Sequence, residues 1–223
     1  MGQLYPDSHV EIDGFLARYY EQLLNLISLG KYGKFIEQAI EDMKINPEDQ
    51  ILDMGSGSGY NAQFMSKYLG NEGGILGLDI SKEGIARFKE KFSDNPEINV
   101  ENRRVDKPIP YESRFDKVLT SFVIHGLPHT ARQKLLDNAH KALRPEGRFF
   151  LLDYGEFELS DLPLHLRVPF KVAECEYAYD YLDRNWEDIL KEFGFVVVDN
   201  YQYMGGFTRL LVAEKVTFTE DET

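Results

Sequence analysis

Cysteine is nearly missing from this chain. Cys175 stands alone among 223 residues, so no disulfide can close within the chain and no cysteine-rich metal site can form. A reducing compartment is the expectation. Basic residues are scarce beside acidic ones, 25 against 38, which leaves a formal net charge of −13. Sequence-independent affinity for phosphate backbones comes from clustered Lys and Arg, so nucleic acid is an unfavoured partner, a local basic groove excepted. No apolar run approaches the roughly 18 residues that a membrane span needs, and residues 1–11 carry no basic region leading into an apolar one. A cytoplasmic protein with at most peripheral membrane contact is expected. The histidines His9, His125, His129, His140 and His165 show no tight ligand spacing, so no metal site is expected.

With 43% hydrophobic residues, the chain has enough apolar side chains for one compact domain. It is organised around Ile51-Leu52-Asp53-Met54-Gly55-Ser56-Gly57-Ser58-Gly59-Tyr60, an apolar run that ends in a carboxylate and turns through three glycines. The pattern reads as strand, tight turn and helix start. Glycines at that spacing allow positive φ and close approach of a ligand to the backbone, and the helix start offers unpaired N–H groups. Gly57-Ser58-Gly59-Tyr60-Asn61-Ala62 fits the dinucleotide fingerprint G-x-G-x-x-G/A. Asp53 argues against a dinucleotide, because a carboxylate two residues before the first glycine would repel bridging phosphates. It suits a cation instead, and S-adenosylmethionine carries an ammonium and a sulfonium. A ligand-free glycine-rich loop is the plain alternative.

The motif D-x-G-x-G-x-G after an apolar strand resembles motif I of the class I S-adenosylmethionine-dependent methyltransferases, with Asp53, Gly55, Gly57 and Gly59 at the matching positions. Ser56 and Ser58 join them as expected cofactor-binding residues. Asp79 ends a second apolar strand 20 residues beyond Gly59, the separation at which a carboxylate meets ribose hydroxyls. Ile80 follows it in the expected cofactor set, and Ser81 is the expected N-cap of the next helix. Residues 98–105 read as a third strand ending in Asp106. The resemblance implies that Asp106 accepts from the adenine amino group and that the backbone of Lys107 meets a ring nitrogen; a solvated loop acid is the alternative.

Upstream, apolar residues recur at three- and four-residue steps through residues 12–43, which reads as two amphipathic helices parted near Gly30. Residues 1–45 are expected to cover the cofactor crevice, with Tyr19 or Tyr20 against the cofactor unless they are plain core. Downstream, residues 115–125 form a fourth strand whose exit, Ser121 to His125, should border the site. A helix over residues 130–143 and a fifth strand over 148–153 follow. Two strand patterns, 195–203 and 207–215, are joined too tightly for a crossover and should pair antiparallel. The expected fold is α/β: a three-layer, Rossmann-like, mostly parallel seven-stranded sheet with a C-terminal antiparallel hairpin. The class I domain is assigned to 46–216, with a lid insertion at 156–183 and a frayed acidic tail at 217–223.

The insertion is rich in apolar and aromatic residues, which suggests a greasy or ring-shaped acceptor; a helix packed on the sheet edge is the alternative. Over most of its length, from Tyr20 and Asn25-Leu26-Ile27-Ser28-Leu29-Gly30 to Tyr181-Leu182 and the Gly205-Gly206-Phe207 turn, the chain is similar to the ubiquinone/menaquinone-biosynthesis methyltransferase branch, which methylates a ring carbon of a polyprenylated quinol. A quinol-like or lipid-like small acceptor is the expectation. If that acceptor carries a proton, His125 is the best candidate base, with a structural histidine as the alternative. Asp153 and Tyr154 are weaker candidates, and His129 and His140 are expected on a loop and on a helix surface. A nicotinamide-dependent oxidoreductase and a non-catalytic module that binds the methyl donor are the competing functions.

Overall fold

The computed structural model describes residues 32–157 and 175–216, together with Ser160 and Arg167. The first expected N-terminal helix, Tyr19, Tyr20, most of the insertion and the acidic tail lie outside these residues.

The chain runs through α1 (Tyr32–Asp42), β1 (Gln50–Met54), α2 (Tyr60–Met65), β2 (Gly74–Asp79), α3 (Lys82–Lys91), β3 (Ile98–Asn102) and β4 (Phe115–Ser121). A 3₁₀ turn (Ile124–Gly126), α4 (His129–Ala142), β5 (Leu143–Tyr154), α5 (Glu176–Leu182), α6 (Trp186–Glu192), β6 (Phe195–Tyr203) and β7 (Thr208–Lys215) complete it. The seven strands form one sheet in the order β3-β2-β1-β4-β5-β7-β6. The first five are parallel, and β7 runs antiparallel between β5 and β6. The expected architecture is therefore present.

Both faces of the sheet are buried, which is why β1 and β2 read as unbroken apolar runs. Leu52, Leu78, Val118 and Leu151 face one core with Leu135 of α4, Tyr181 of α5 and Trp186 of α6. Ile51, Ile75, Leu119 and Phe150 face the other with Ile36 of α1, Met65 of α2 and Phe88 of α3. The alternation of neighbours between two cores fixes the register, since a slip of one residue would exchange the faces. Strand order reverses beside β1, and the crevice at the carboxyl ends of β1 and β4 is where such sheets bind ligands. Among the described residues no helix is long and apolar enough to cross a membrane.

Helix α2 stops at Met65, and turns lead onward to Gly70, whose N–H bonds the Pro47 carbonyl at 2.8 Å. Two boundaries depart from expectation. Strand β3 ends at Asn102, so Asp106 lies in the loop beyond it and not at a strand tip. Strand β5 begins at Leu143, directly after α4, because Leu143 pairs with Phe115; the ladder then shifts register before Lys117 meets Arg148.

Trp186 is 1% exposed, stacks on Tyr181 at 4.5 Å, and donates its indole N–H to the Tyr181 carbonyl at 3.0 Å. Trp186→Ala should cost about 3–5 kcal/mol in urea unfolding. A loss below about 1 kcal/mol would contradict this packing.

Candidate active site

The bend after β1 begins with Gly55 at φ 90°, continues through Gly57 at φ 53°, and reaches α2 at Gly59 with φ 76°. A Cβ on Gly55 would stand 2.3 Å from Val123 Cγ2, whereas one on Gly57 would meet nothing within 4 Å. The bend is thus packed shut at its base and open at its crest. The Ser56 hydroxyl is buried and unpaired among the described residues.

Asp53 is wholly buried beneath this bend, and neither carboxylate oxygen has a partner among the described residues. Burial, and secondarily the charge of Asp79, push its carboxyl from 3.8 up to about 7. Unpaired buried carboxylates are costly, so this one points to a cationic ligand.

Asp79 accepts from the Gly57 N–H at 2.7 Å and the Ser81 N–H at 2.8 Å. It therefore fixes the bend, and it is half-buried at the carboxyl end of β2. Burial raises its carboxyl and the backbone donors offset part of that rise. Ser81 caps α3 as expected, its hydroxyl accepting from Gly84 N–H at 3.1 Å. Ile80 is half-buried between the two. Asp106 is buried and held in a two-pronged pair by Arg104, with both contacts at 2.8 Å. That pairing excludes the solvated loop acid. Lys107 is exposed, and its carbonyl is anchored by the Asn138 amide at 2.7 Å.

Across the crevice, Ser121 ends β4 buried, and Phe122 turns the chain at φ 53°. The 3₁₀ turn then presents His125, whose Nδ1 lies 2.7 Å from Asp153 Oδ1. Asp153 is 0% exposed and also accepts from the Tyr154 N–H at 2.8 Å. The Tyr154 ring packs on the imidazole with centroids 4.7 Å apart. His125, Asp153 and Tyr154 are thereby brought together as one group. His129 opens α4 with Nδ1 buried, rather than lying on a loop, and His140 is half-buried on α4, its Nε2 covered and its ring meeting Phe195 edge-on at 5.3 Å.

Arg132 escaped the sequence reading. It is 1% exposed and donates to the carbonyls of Ile124 at 2.9 Å, His125 at 3.0 Å, and Tyr177. Its Nη1 also pairs with Asp180 at 2.7 Å, so one guanidinium ties the His125 turn to α5. Its place three and four residues before Leu135 and Leu136, on the buried face of α4, was the available signal. Asn138, which also bonds the Val105 carbonyl at 2.8 Å, was missed for the same reason.

A model of the methyltransferase domain matches residues 51–147. An uncharacterised methyltransferase from Synechocystis is 26% identical over 85% of this chain and 87% of its own length. The 2-phytyl-1,4-naphthoquinone methyltransferase of Nostoc is 26% identical over 90% of this chain and 95% of its own. A crystal structure of a SAM-dependent methyltransferase from Aquifex aeolicus superposes with a TM-score of 0.60 at 20% identity, covering 81% of this chain and 89% of that one.

The raised Asp53 carboxyl has a consequence for stability. The native state holds this proton more tightly than the unfolded chain, so stability from this group is lost as pH rises from about 4 to about 7. Without ligand, the stability of Asp53→Asn relative to the parent should increase by roughly 2 kcal/mol between pH 5 and pH 8, measured by denaturant unfolding. A difference independent of pH would contradict the assignment.

Proposed function

We propose that this chain, which reads as a class I S-adenosylmethionine-dependent methyltransferase, methylates a small apolar or aromatic acceptor, quinol-like or lipid-like in character. The observation that carries this reading is the sealed, unpaired Asp53 carboxylate under an open glycine crest. Those residues fit the methyl donor, whose ammonium would answer the orphaned charge.

In this reading Asp53, Gly55, Ser56, Gly57, Ser58 and Gly59 seat the donor's amino-acid end. Asp79 and Ile80 receive the ribose, Asp106 and Lys107 the adenine, and Ser121 borders the sulfonium side. Tyr20 keeps its proposed place over the cofactor. When bound, the donor supplies an electrophilic methyl group on a sulfonium, and its leaving group is a neutral thioether that needs no acid. The protein's work is then to align the nucleophile and to exclude water.

His125 supplies what alignment cannot. With Nδ1 directed at Asp153, the ring proton sits there and Nε2 is the nitrogen that accepts a proton from the acceptor. Asp153 holds the tautomer and stabilises the imidazolium that forms, and Tyr154 fixes the ring plane. The aromatic groups Phe122, Tyr154 and Phe157 line this side, Tyr154 meeting the other two at 6.1 and 6.3 Å. Such a wall supports a ring-bearing acceptor. The naphthoquinone methyltransferase among the relatives supports the same class.

A nicotinamide cofactor would bring its pyrophosphate over Asp53, which electrostatics disfavour. Calorimetry separates the readings: donor and demethylated product should bind, and NADH should not. Asp79→Ala should weaken donor binding by about 1.5–3 kcal/mol, since it removes charged-acceptor hydrogen bonds; parent-like affinity would remove the ribose role. Screening metabolite and lipid extracts for a mass gain of one methyl group should identify the acceptor. With that acceptor, His125→Asn should lower kcat about 10²- to 10⁴-fold at unchanged donor affinity, and an unchanged kcat would end the base assignment. Donor binding with no methylated product would favour the non-catalytic module.

A further inference from the structure

One charged residue at the carboxyl edge of the sheet has no part in the reading above. The apolar ladder between β5 and β7 runs Phe149 opposite Ala213 and Leu151 opposite Leu211, then ends in Asp153 opposite Arg209. Arg209 is 4% exposed, and its Nε is sealed from solvent without a partner among the described residues. Its Nη1 pairs at 2.7 Å with Glu156, whose side chain is 63% exposed. A buried guanidinium is costly unless its donors are met, yet the carboxylate supplied here is mostly in water and contributes little. Inside the fold Arg209 stands opposite the buried Asp153 and against the Tyr181 hydroxyl, so the exposed Glu156 is its exchangeable partner.

We propose that Arg209 is the docking point for a carboxylate on the methyl acceptor, and that Glu156 occupies it until the acceptor arrives. The proposal rests on the methyltransferase reading and narrows its acceptor to an aryl acid with a ring hydroxyl. A guanidinium fork matches a carboxylate in shape and charge. Phe157, next to Glu156 in the chain, meets Phe207 edge-on at 5.4 Å, and Tyr154 lies 6.3 Å from Phe157, so aromatic residues neighbour both members of the pair in sequence. Because Arg209 lies opposite Asp153, and Asp153 holds His125, an acid end at Arg209 directs the rest of the ring towards the imidazole. A monoanion is the matching charge. With Asp153 and Glu156 alongside and a chain of net charge −13, a phosphate dianion would be repelled.

The test is a calorimetric panel of hydroxybenzoic and hydroxynaphthoic acids, each beside its own primary amide, on protein saturated with S-adenosylhomocysteine. At least one acid should bind tenfold or more tightly than its amide. Arg209→Gln should abolish that preference while keeping affinity for S-adenosylhomocysteine, and Glu156→Gln should tighten acid binding several-fold without changing amide binding. The proposal is overturned if no acid in the panel exceeds its amide, if Arg209→Gln retains the preference, or if Glu156→Gln leaves acid affinity unchanged or weaker. Should Arg209→Gln fail to fold, the Glu156→Gln comparison still decides. Failure of S-adenosylhomocysteine to bind the parent protein would count against the methyltransferase reading itself, and is seen before any acid is added.

Discussion

A negative charge without a counter-charge lies at the middle of this protein, and the surrounding structure holds it there. Asp53 sits at the tip of the central strand, 0% exposed, with both oxygens unmet among the described residues. Leaving such a group buried costs several kcal/mol in principle, and here the cost is reduced by keeping the proton to near neutral pH. The walls of the seat are equally specific. Gly55 has no room for a side chain against Val123, and Gly77 has none against Ser56, whose hydroxyl would stand 2.4 Å from an added Cβ. Asp79 then pins the crest through the Gly57 N–H. A cationic nucleoside on this seat would relieve the unpaired Asp53 charge that these contacts leave.

The acceptor side is built on the opposite principle: its charges are already paired, and pairing sets direction. Arg132 meets carbonyls of the His125 turn and of α5, Asp153 takes three donors from His125 and Tyr154, and Tyr181 donates its hydroxyl to the Tyr154 carbonyl at 3.3 Å. Each carbonyl held by Arg132 belongs to the turn bearing His125 or to α5. The imidazole is thus oriented by backbone contacts as well as by its carboxylate. A ring held this way loses little freedom when an acceptor arrives, which is how pre-organisation lowers a barrier.

The central sheet was legible because its signals are local. Apolar runs ending in Asp53 and Asp79, glycines at single-residue spacing, and a hairpin too short for a crossover each fix one element without reference to the rest. Helix α1 followed from Phe35, Ile36, Ala39 and Ile40 at helical spacing, and all four are buried. What escaped were contacts between elements distant in sequence. The His125–Asp153 bond joins residues 28 apart, and the Arg132–Asp180 pair residues 48 apart. Both residues of the first pair were candidates, yet nothing local says that they touch. The end of β3 was misjudged because Arg103, Arg104 and Val105 continue an extended pattern; the Arg104–Asp106 fork and the Asn138 anchors bend the chain instead.

The central claim is that the bare bend after β1, with its buried acid, receives the methyl donor. A crystal structure of the protein with S-adenosylmethionine tests it most directly. The account predicts the ligand lying across Gly55 to Gly59, its ribose on Asp79 and its ammonium on the Asp53 side, directly or through one ordered water. A structure with the ligand elsewhere and Asp53 still unpaired would contradict it.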